Sequence, residues 1–212
     1  MKPTRLFLSA VLATFCAAPA LAGEPDHTVL NGQINLKNIV GELNIYVDDA
    51  GSLGQTASAQ GNSFEAELDG SSDVDTYQIN HSNVEADLNL EAGWIEGEAT
   101  TVSQSFTNSA TIKGDGTGGV AVNNYQEADP SCDSCYDDAK TFIAVDGVGT
   151  LDSSTTAVAN SLNVYNNAPG TNINSQQINN SKMSAVSNIY VGYAGSLNAS
   201  SAAVGNSVIV GK

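Results

Sequence analysis

Apolar and polar residues alternate along much of this chain. Residues 84–90 carry an apolar side chain at every second position, and residues 64–68 repeat the pattern. Successive side chains of a strand point to opposite sides, so this period of two is typical of strands with one buried face. Residues rich in Gly, Asn, Asp and Ser, such as 166–170, separate the alternating stretches and predict turns. The pattern therefore predicts an all-β fold.

A sequence unit recurs four times within this pattern. Identical segments stand at both ends of the chain with a constant offset: residues 44–47 match 188–191, residues 50–53 match 194–197, and residues 61–63 match 205–207. With the interior copies aligned to these anchors, residues 23–212 are predicted to form one repeat domain. Its four units cover about residues 31–70, 76–115, 123–166 and 175–212. Extra residues lengthen the third unit and predict an inserted loop.

Each unit holds one Gln and, further along, one Asn at an equivalent place. They are Gln33, Gln78, Gln126 and Gln177, and Asn62, Asn108, Asn160 and Asn206. Identical amides stacked in register hydrogen-bond along the stack, which offsets the cost of burying them. These positions predict a β-solenoid (β-helix) with amide ladders, in which each unit makes about two rungs. A β-sandwich is the alternative, because alternation and turn spacing suit it equally.

The repeat unit resembles that of a known family. Its Gln, Asn-rich turn, alternating small residues, Ala-Gly-x-Leu and Gly-Asn-Ser resemble the holdfast anchor protein D family and, more loosely, the curlin repeat of curli fibres. The matching stretches are residues 33–68, 78–112 and 177–210. The resemblance implies a cell-surface or outer-membrane adhesion protein that associates with itself or with sister anchor proteins. It also implies that the protein holds an adhesive polysaccharide to the envelope.

The chain ends in an apolar, β-branched segment. Val208, Ile209 and Val210 stand just before the C-terminus, and no capping sequence follows them. The edge of an uncapped sheet offers unpaired backbone N–H and C=O groups to another chain. We therefore expect an assembly edge here, and expect Ile209→Lys to reduce assembly.

The N-terminal segment predicts export. Lys2 and Arg5 precede a mostly apolar run, and a small-x-small site at residues 20–22 follows it. This arrangement is typical of a secretory signal peptide, here residues 1–22, and the run is too short to span a bilayer. The sequence therefore predicts a secreted protein with no transmembrane segment.

Two cysteines, Cys132 and Cys135, remain after removal of the signal peptide. In an exported protein this spacing favours a local disulfide. Four acidic residues surround the pair: Asp129, Asp133, Asp137 and Asp138. Their oxygens suit calcium. The alternative is a plain acidic loop, and we assign no metal site.

Charge and residue types exclude several functions. With 23 acidic against 7 basic residues and a formal charge of -16, the chain has no basic stripe for nucleic acid. The two histidines, His27 and His81, are far apart in sequence, and no nucleophile elbow is recognisable. We therefore expect no catalytic residue, no enzymatic activity and no cofactor.

A polysaccharide-binding or polysaccharide-active β-helix module is the competing function. A glycosidase needs two carboxylates at a set separation, and the second unit offers Glu85, Asp87, Glu91, Glu96 and Glu98. Their place in the alternation favours outward, solvated positions. Tyr46 and Tyr190 occupy equivalent positions and could stack on sugar rings.

Overall fold

The computed structural model describes residues 25–129 and 136–211. Within these residues all of the regular secondary structure is β-strand. The strands are β1 (His27–Asn35), β2 (Ile39–Ala50), β3 (Leu53–Leu68), β4 (Ser72–Asn80), β5 (Val84–Gly114), β6 (Val120–Ala128), β7 (Tyr136–Tyr165), β8 (Asn172–Asn179) and β9 (Lys182–Gly211). The all-β prediction is confirmed. The predicted signal peptide and the Cys132–Cys135 disulfide lie outside the described residues.

All strand pairs are parallel and build two sheets. The first has the order β1-β4-β6-β8, and the second has the order β2-β5-β7-β9 with β3 also paired to β5. The strands therefore fall into four stacked layers. Layer 1 contains β1 to β3, layer 2 contains β4 and β5, layer 3 contains β6 and β7, and layer 4 contains β8 and β9.

Each repeat unit supplies one layer, so the prediction of two rungs per unit is wrong. Gln33 pairs directly with Gln78, the equivalent residue of the next unit. The long strand instead folds back within its own layer, where the Ser103 hydroxyl donates to the Ala86 carbonyl at 2.7 Å. A period of two marks which side chains point inward, but it carries no information about where a strand bends. One layer therefore contains about twice as many residues as the two-rung prediction gives.

Glycine makes the connections between layers. Gly70, Gly116 and Gly170 have φ values of 75°, 82° and 89°. Each lies in the turn that leads from one layer to the next. Because residues with a Cβ rarely adopt this left-handed conformation, glycine allows the chain to step up by one layer at the same place in each unit.

The apolar core runs through the layers as columns of like side chains. One cluster contains Leu88, Leu90 and Ile143, and a second contains Ile112 and Leu162; all five are fully buried. Burying one such side chain stabilises the fold by about 1.5–3 kcal/mol. The same columns are only partly buried in layers 1 and 4, because each outer layer has a neighbouring layer on one side only within the described residues.

An aromatic pair stacks beside the corner of the long strands, the stretch around residues 95–98 of β5 where its pairing with β7 shifts register. Trp94 in layer 2 pairs in register with Gly147 in layer 3, which pairs with Tyr193 in layer 4. The indole extends over Gly147 and stacks on the Tyr193 ring, with centroids 6.1 Å apart and planes 7° from parallel. A Cβ at residue 147 would lie 1.9 Å from the indole Cζ3. The glycine thus makes room for a ring from the adjacent layer.

Candidate functional site

The four repeat glutamines form a continuous ladder along the stack. The Nε2 group of Gln78 donates to Gln33 Oε1 at 2.9 Å, Gln126 donates to Gln78 at 2.8 Å, and Gln177 donates to Gln126 at 2.7 Å. Each Nε2 also donates to a backbone carbonyl on the opposite side of its own layer, as Gln126 does to Ser161 at 2.9 Å. Because a carbonyl can only accept, this second bond fixes which end of the amide is nitrogen. Every ladder bond therefore donates toward layer 1.

The four repeat asparagines form a second ladder. Nδ2 donates to the Oδ1 of the next unit at 2.8 Å from Asn62 to Asn108, from Asn108 to Asn160 and from Asn160 to Asn206. Each of these three donors also bonds a carbonyl of the following layer, as Asn108 does with Glu127 at 2.9 Å. Every ladder bond here donates toward layer 4. The two ladders therefore run in opposite directions.

The last strand is unpaired on one side within the described residues. Val208 and Val210 pair with Leu162 and Val164, which are fully buried, so both valines face the interior column. They nevertheless remain 48% and 62% exposed, because no described layer covers them. Ile209 pairs with Asn163 and points outward. The valines are therefore the residues that a chain stacked on layer 4 would contact.

Layer 1 is also unpaired on one side within the described residues, and its exposed residues Leu30, Ile34, Val40 and Tyr46 stand at outward positions of the alternation. Most of the exposed large apolar side chains of the described residues belong to the two outer layers. They are Leu30, Ile34, Leu36, Val40 and Tyr46 in layer 1, and Val186, Tyr190, Tyr193, Leu197, Val208, Ile209 and Val210 in layer 4.

An open groove of about 930 Å³ crosses all four layers at the corner. Tyr46 and Tyr190 stand at its two ends, in layers 1 and 4, and are 68% and 64% exposed. Carboxylates of Asp48, Glu91 and Asp146 line it. The groove thus combines exposed aromatic rings with hydrogen-bond acceptors.

The candidate acid–base carboxylates lie along one strand. Glu85, Asp87 and Glu91 occupy the partly or fully exposed positions of the alternation in β5, while Glu96 and Glu98 are exposed near the corner. Asp87 lies 3.9 Å from the ammonium of Lys140. Burial raises the pKa of Asp87, and Lys140 opposes the rise. These positions are those of an outer strand face.

Of the four acidic residues around the inserted loop, the structure describes Asp129, Asp137 and Asp138. Asp137 and Asp138 are fully buried: Asp137 Oδ1 accepts the backbone N–H of Val84 at 2.9 Å, and Asp138 pairs with Lys140 at 2.5 Å. Burial raises the pKa of Asp137. Across residues 25–129 and 136–211, no group of three or more His, Cys, Asp or Glu side chains is arranged to hold a metal ion.

The amino-acid sequence alone did not predict the ladder directions or the stacking of Trp94 on Tyr193. Alignment of the units could have indicated the aromatic stacking, because Trp94, Gly147 and Tyr193 occupy equivalent positions in successive units. The ladder directions have no sequence signal, because they depend on the carbonyl that each amide meets.

Among the described residues, no helix has the length and apolar character needed to cross a bilayer. The strands, ladders and open outer layers define an all-β protein of parallel, register-stacked repeats. A family model described as holdfast attachment protein D matches residues 17–212, and the chain belongs to this family. The resemblance found in the repeats is thereby confirmed. No curated protein and no solved structure matches the chain.

Family membership gives the role in general terms. It implies that the protein acts in holdfast attachment and is associated with the cell surface.

Proposed function

We propose that residues 23–212 form one β-solenoid domain of four units, exported and held at the outer surface of the cell. In this proposal the protein is not an enzyme. It docks through an outer layer with another copy or with a sister anchor protein, and it thereby holds an adhesive polysaccharide to the envelope. Parallel pairing at one-unit offsets supports the solenoid, since each layer repeats the path of the previous one.

The observation that carries the docking function is the open face of layer 4. Val208 and Val210 continue columns that are fully buried one layer below, yet about half of each side chain is exposed. Leaving both valines in water forgoes the transfer free energy that a stacked partner would supply, which is about 25 cal/mol per Å² of apolar surface. The open face is thus suited to receive a further β-layer.

The test compares inward and outward lysines on the same strand. Ile209 points outward, so Ile209→Lys is not expected to block a chain stacked on layer 4, in contrast to the expectation from the sequence. The variant that tests docking is therefore Val208→Lys combined with Val210→Lys. Cells that carry the double variant should release adhesive polysaccharide into the medium, whereas cells with Ile209→Lys should retain it. Retention is measured by staining cells and medium with a lectin at equal levels of the protein. Full retention by the double variant would rule out docking through this face.

Polysaccharide binding by the corner groove is a second candidate function. Exposed aromatic rings of Tyr46 and Tyr190 beside carboxylates are the groups that sugar recognition uses, because a ring covers the apolar face of a sugar and the carboxylates bond its hydroxyls. Tyr46→Ala with Tyr190→Ala should abolish binding of the purified protein to isolated adhesive. Tyr165→Ala, at an exposed tyrosine away from the groove, is the control. Equal binding by all variants would exclude the groove.

A further inference from the structure

The two ends of the stack present complementary groups. At the layer 4 end, Gln177 Oε1 accepts no hydrogen bond among the described residues, and Asn206 Nδ2 uses one of its two hydrogens. At the layer 1 end, Gln33 Nε2 uses one of its two hydrogens, and Asn62 Oδ1 accepts none within the described residues. The layer 4 end therefore offers an acceptor at the glutamine ladder and a donor at the asparagine ladder. The layer 1 end offers a donor at the glutamine ladder and an acceptor at the asparagine ladder.

From this pairing we propose that copies of the chain stack head to tail, with layer 4 of one copy against layer 1 of the next in parallel register. This inference rests on the docking function proposed above and gives it a partner and a direction. Gln33 of the second copy donates to Gln177 of the first, and Asn206 of the first donates to Asn62 of the second. Both ladders then continue through the junction without a change of direction.

The hydrogen bond that Asn206 makes differs from those of the other three ladder asparagines, as the stacking proposal requires. Asn62, Asn108 and Asn160 each bond a carbonyl of the following layer, at 2.7–2.9 Å. Asn206 bonds the carbonyl of Gln177 in its own layer instead, at 3.2 Å. A copy stacked on layer 4 would supply the Ile34 carbonyl, which is equivalent to the Ile79 carbonyl that Asn62 bonds.

The apolar columns also continue across this junction. Layers 1 and 4 are the two units with identical segments, so like side chains would meet in several columns. The pairs are Ile189 with Ile45, Val191 with Val47, Ala194 with Ala50, and Leu197 with Leu53. Identical residues stacked in parallel register pack in the manner of the interior layers.

Charge favours unlike ends. The chain has no acidic residue after Asp152, so layer 4 carries Lys182 and no acidic side chain. Layer 1 and the residues at its ends carry one lysine, Lys37, and seven acidic residues, namely Asp26, Glu42, Asp48, Asp49, Glu65, Glu67 and Asp69. Two layer 1 faces would repel each other, whereas a layer 4 face lowers the local density of negative charge.

Stacking of like faces is disfavoured for a second reason. In a contact between two layer 4 faces, the path of the second chain runs around the stack in the opposite sense, so its strands cannot all pair in the parallel register of the layers seen here. Wherever Gln177 meets Gln177, an acceptor also faces an acceptor. A head-to-tail contact is heterologous and does not close on itself, so growth gives an open filament. Filaments of the purified protein should show a spacing of about 4.8 Å along their axis.

The decisive test blocks one end at a time. Val208→Lys places a charge in the column at the layer 4 face, and Phe64→Lys places one in the same column at the layer 1 face. Each variant alone should remain monomeric. An equal mixture should form a dimer that grows no further, because each variant retains the end that the other lacks. Native mass spectrometry with one variant isotopically labelled identifies the dimer.

The controls keep each outcome interpretable. Ile209→Lys, which points outward, should assemble like the unaltered protein, and far-ultraviolet circular dichroism should show that all variants are folded. If a lysine variant does not fold, Asn206→Asp and Gln33→Glu replace it. Each puts a carboxylate where a ladder donor stood, and each should raise the dissociation constant at least tenfold.

Several outcomes would overturn the head-to-tail arrangement. They are a dimer of Val208→Lys alone, an equal mixture that stays monomeric while the unaltered protein assembles, or unaltered protein that is monomeric at about 100 µM. In the last case, loss of adhesive from cells that carry Val208→Lys and Val210→Lys would still support docking to a sister protein. The stacking proposal and the attachment function can therefore fail separately.

Discussion

Gln126 donates its Nε2–H to Gln78 Oε1 across 2.8 Å, and both side chains are fully buried. Amides in such an interior are tolerated only when their hydrogen bonds are complete, because an unpaired buried polar group costs about 1–3 kcal/mol. Here each glutamine is held by its neighbours above and below and by a carbonyl across the layer. The ladder thus fixes the register of the layers as well as satisfying its own groups.

Replacing Gln126 by Leu should therefore lower the free energy of unfolding by about 3–5 kcal/mol, because it leaves groups of Gln78, Ser161 and Gln177 without partners. Gln33→Leu should cost about 1–3 kcal/mol, because it leaves one buried donor, the Nε2–H of Gln78, without its acceptor. Urea denaturation of the monomeric Val208→Lys background measures both. Equal losses at the two positions would show that the buried glutamine contributes no more to stability than the one in the outer layer.

Asp137 should make stability depend on pH. Burial raises its pKa above the ordinary value of 3.8, with the hydrogen bond from the Val84 backbone N–H opposing the rise and the charge of Asp138 adding to it. The folded state then keeps the proton at pH values where the unfolded chain has lost it. The contribution of Asp137 to the free energy of unfolding therefore falls as pH rises above about 4.

Asp137→Asn should remove this fall. The variant should gain stability relative to the unaltered protein as pH increases from 3.5 to 7.5, measured by urea denaturation at each pH. Asp115→Asn is the control of opposite sign: hydrogen bonds from Thr117 lower the pKa of Asp115, so this variant should lose relative stability as pH rises toward about 4 and change little above it. A stability difference for Asp137→Asn that is independent of pH would contradict the prediction.

Gly147→Ala should displace the only tryptophan of the chain. The new methyl group would clash with the ring of Trp94, so the indole, which is already 44% exposed, must leave Tyr193 and become more exposed to water. The tryptophan emission maximum should shift to longer wavelength, with a loss of about 1 kcal/mol from the broken stack. Gly54→Ala is the control, because nothing lies within 4 Å of a methyl group there. An unchanged emission spectrum would show that the indole does not lie over Gly147.

The amino-acid sequence by itself determined the kind of structure. Alternation in residues 84–90 sufficed for strands, because the period of two follows from the geometry of a single chain. The recurrence of Gln33 at Gln78, Gln126 and Gln177 gave the repeat and the residues that stack, since identical units favour identical paths. The same repeats carried the family resemblance, which the match over residues 17–212 confirms.

Tertiary structure alone decided the width of a layer, the opposite directions of the ladders and the side on which Ile209 lies. Each depends on contacts between residues far apart in the chain. The fold-back within β5 is held across the layer between Ser103 and Ala86, and the direction of each amide is set by a carbonyl on another strand. The facing of Ile209 depends on register near Asn206, where the inward positions shift by one residue. A local pattern holds no information about such long-range partners, so only the folded chain specifies them.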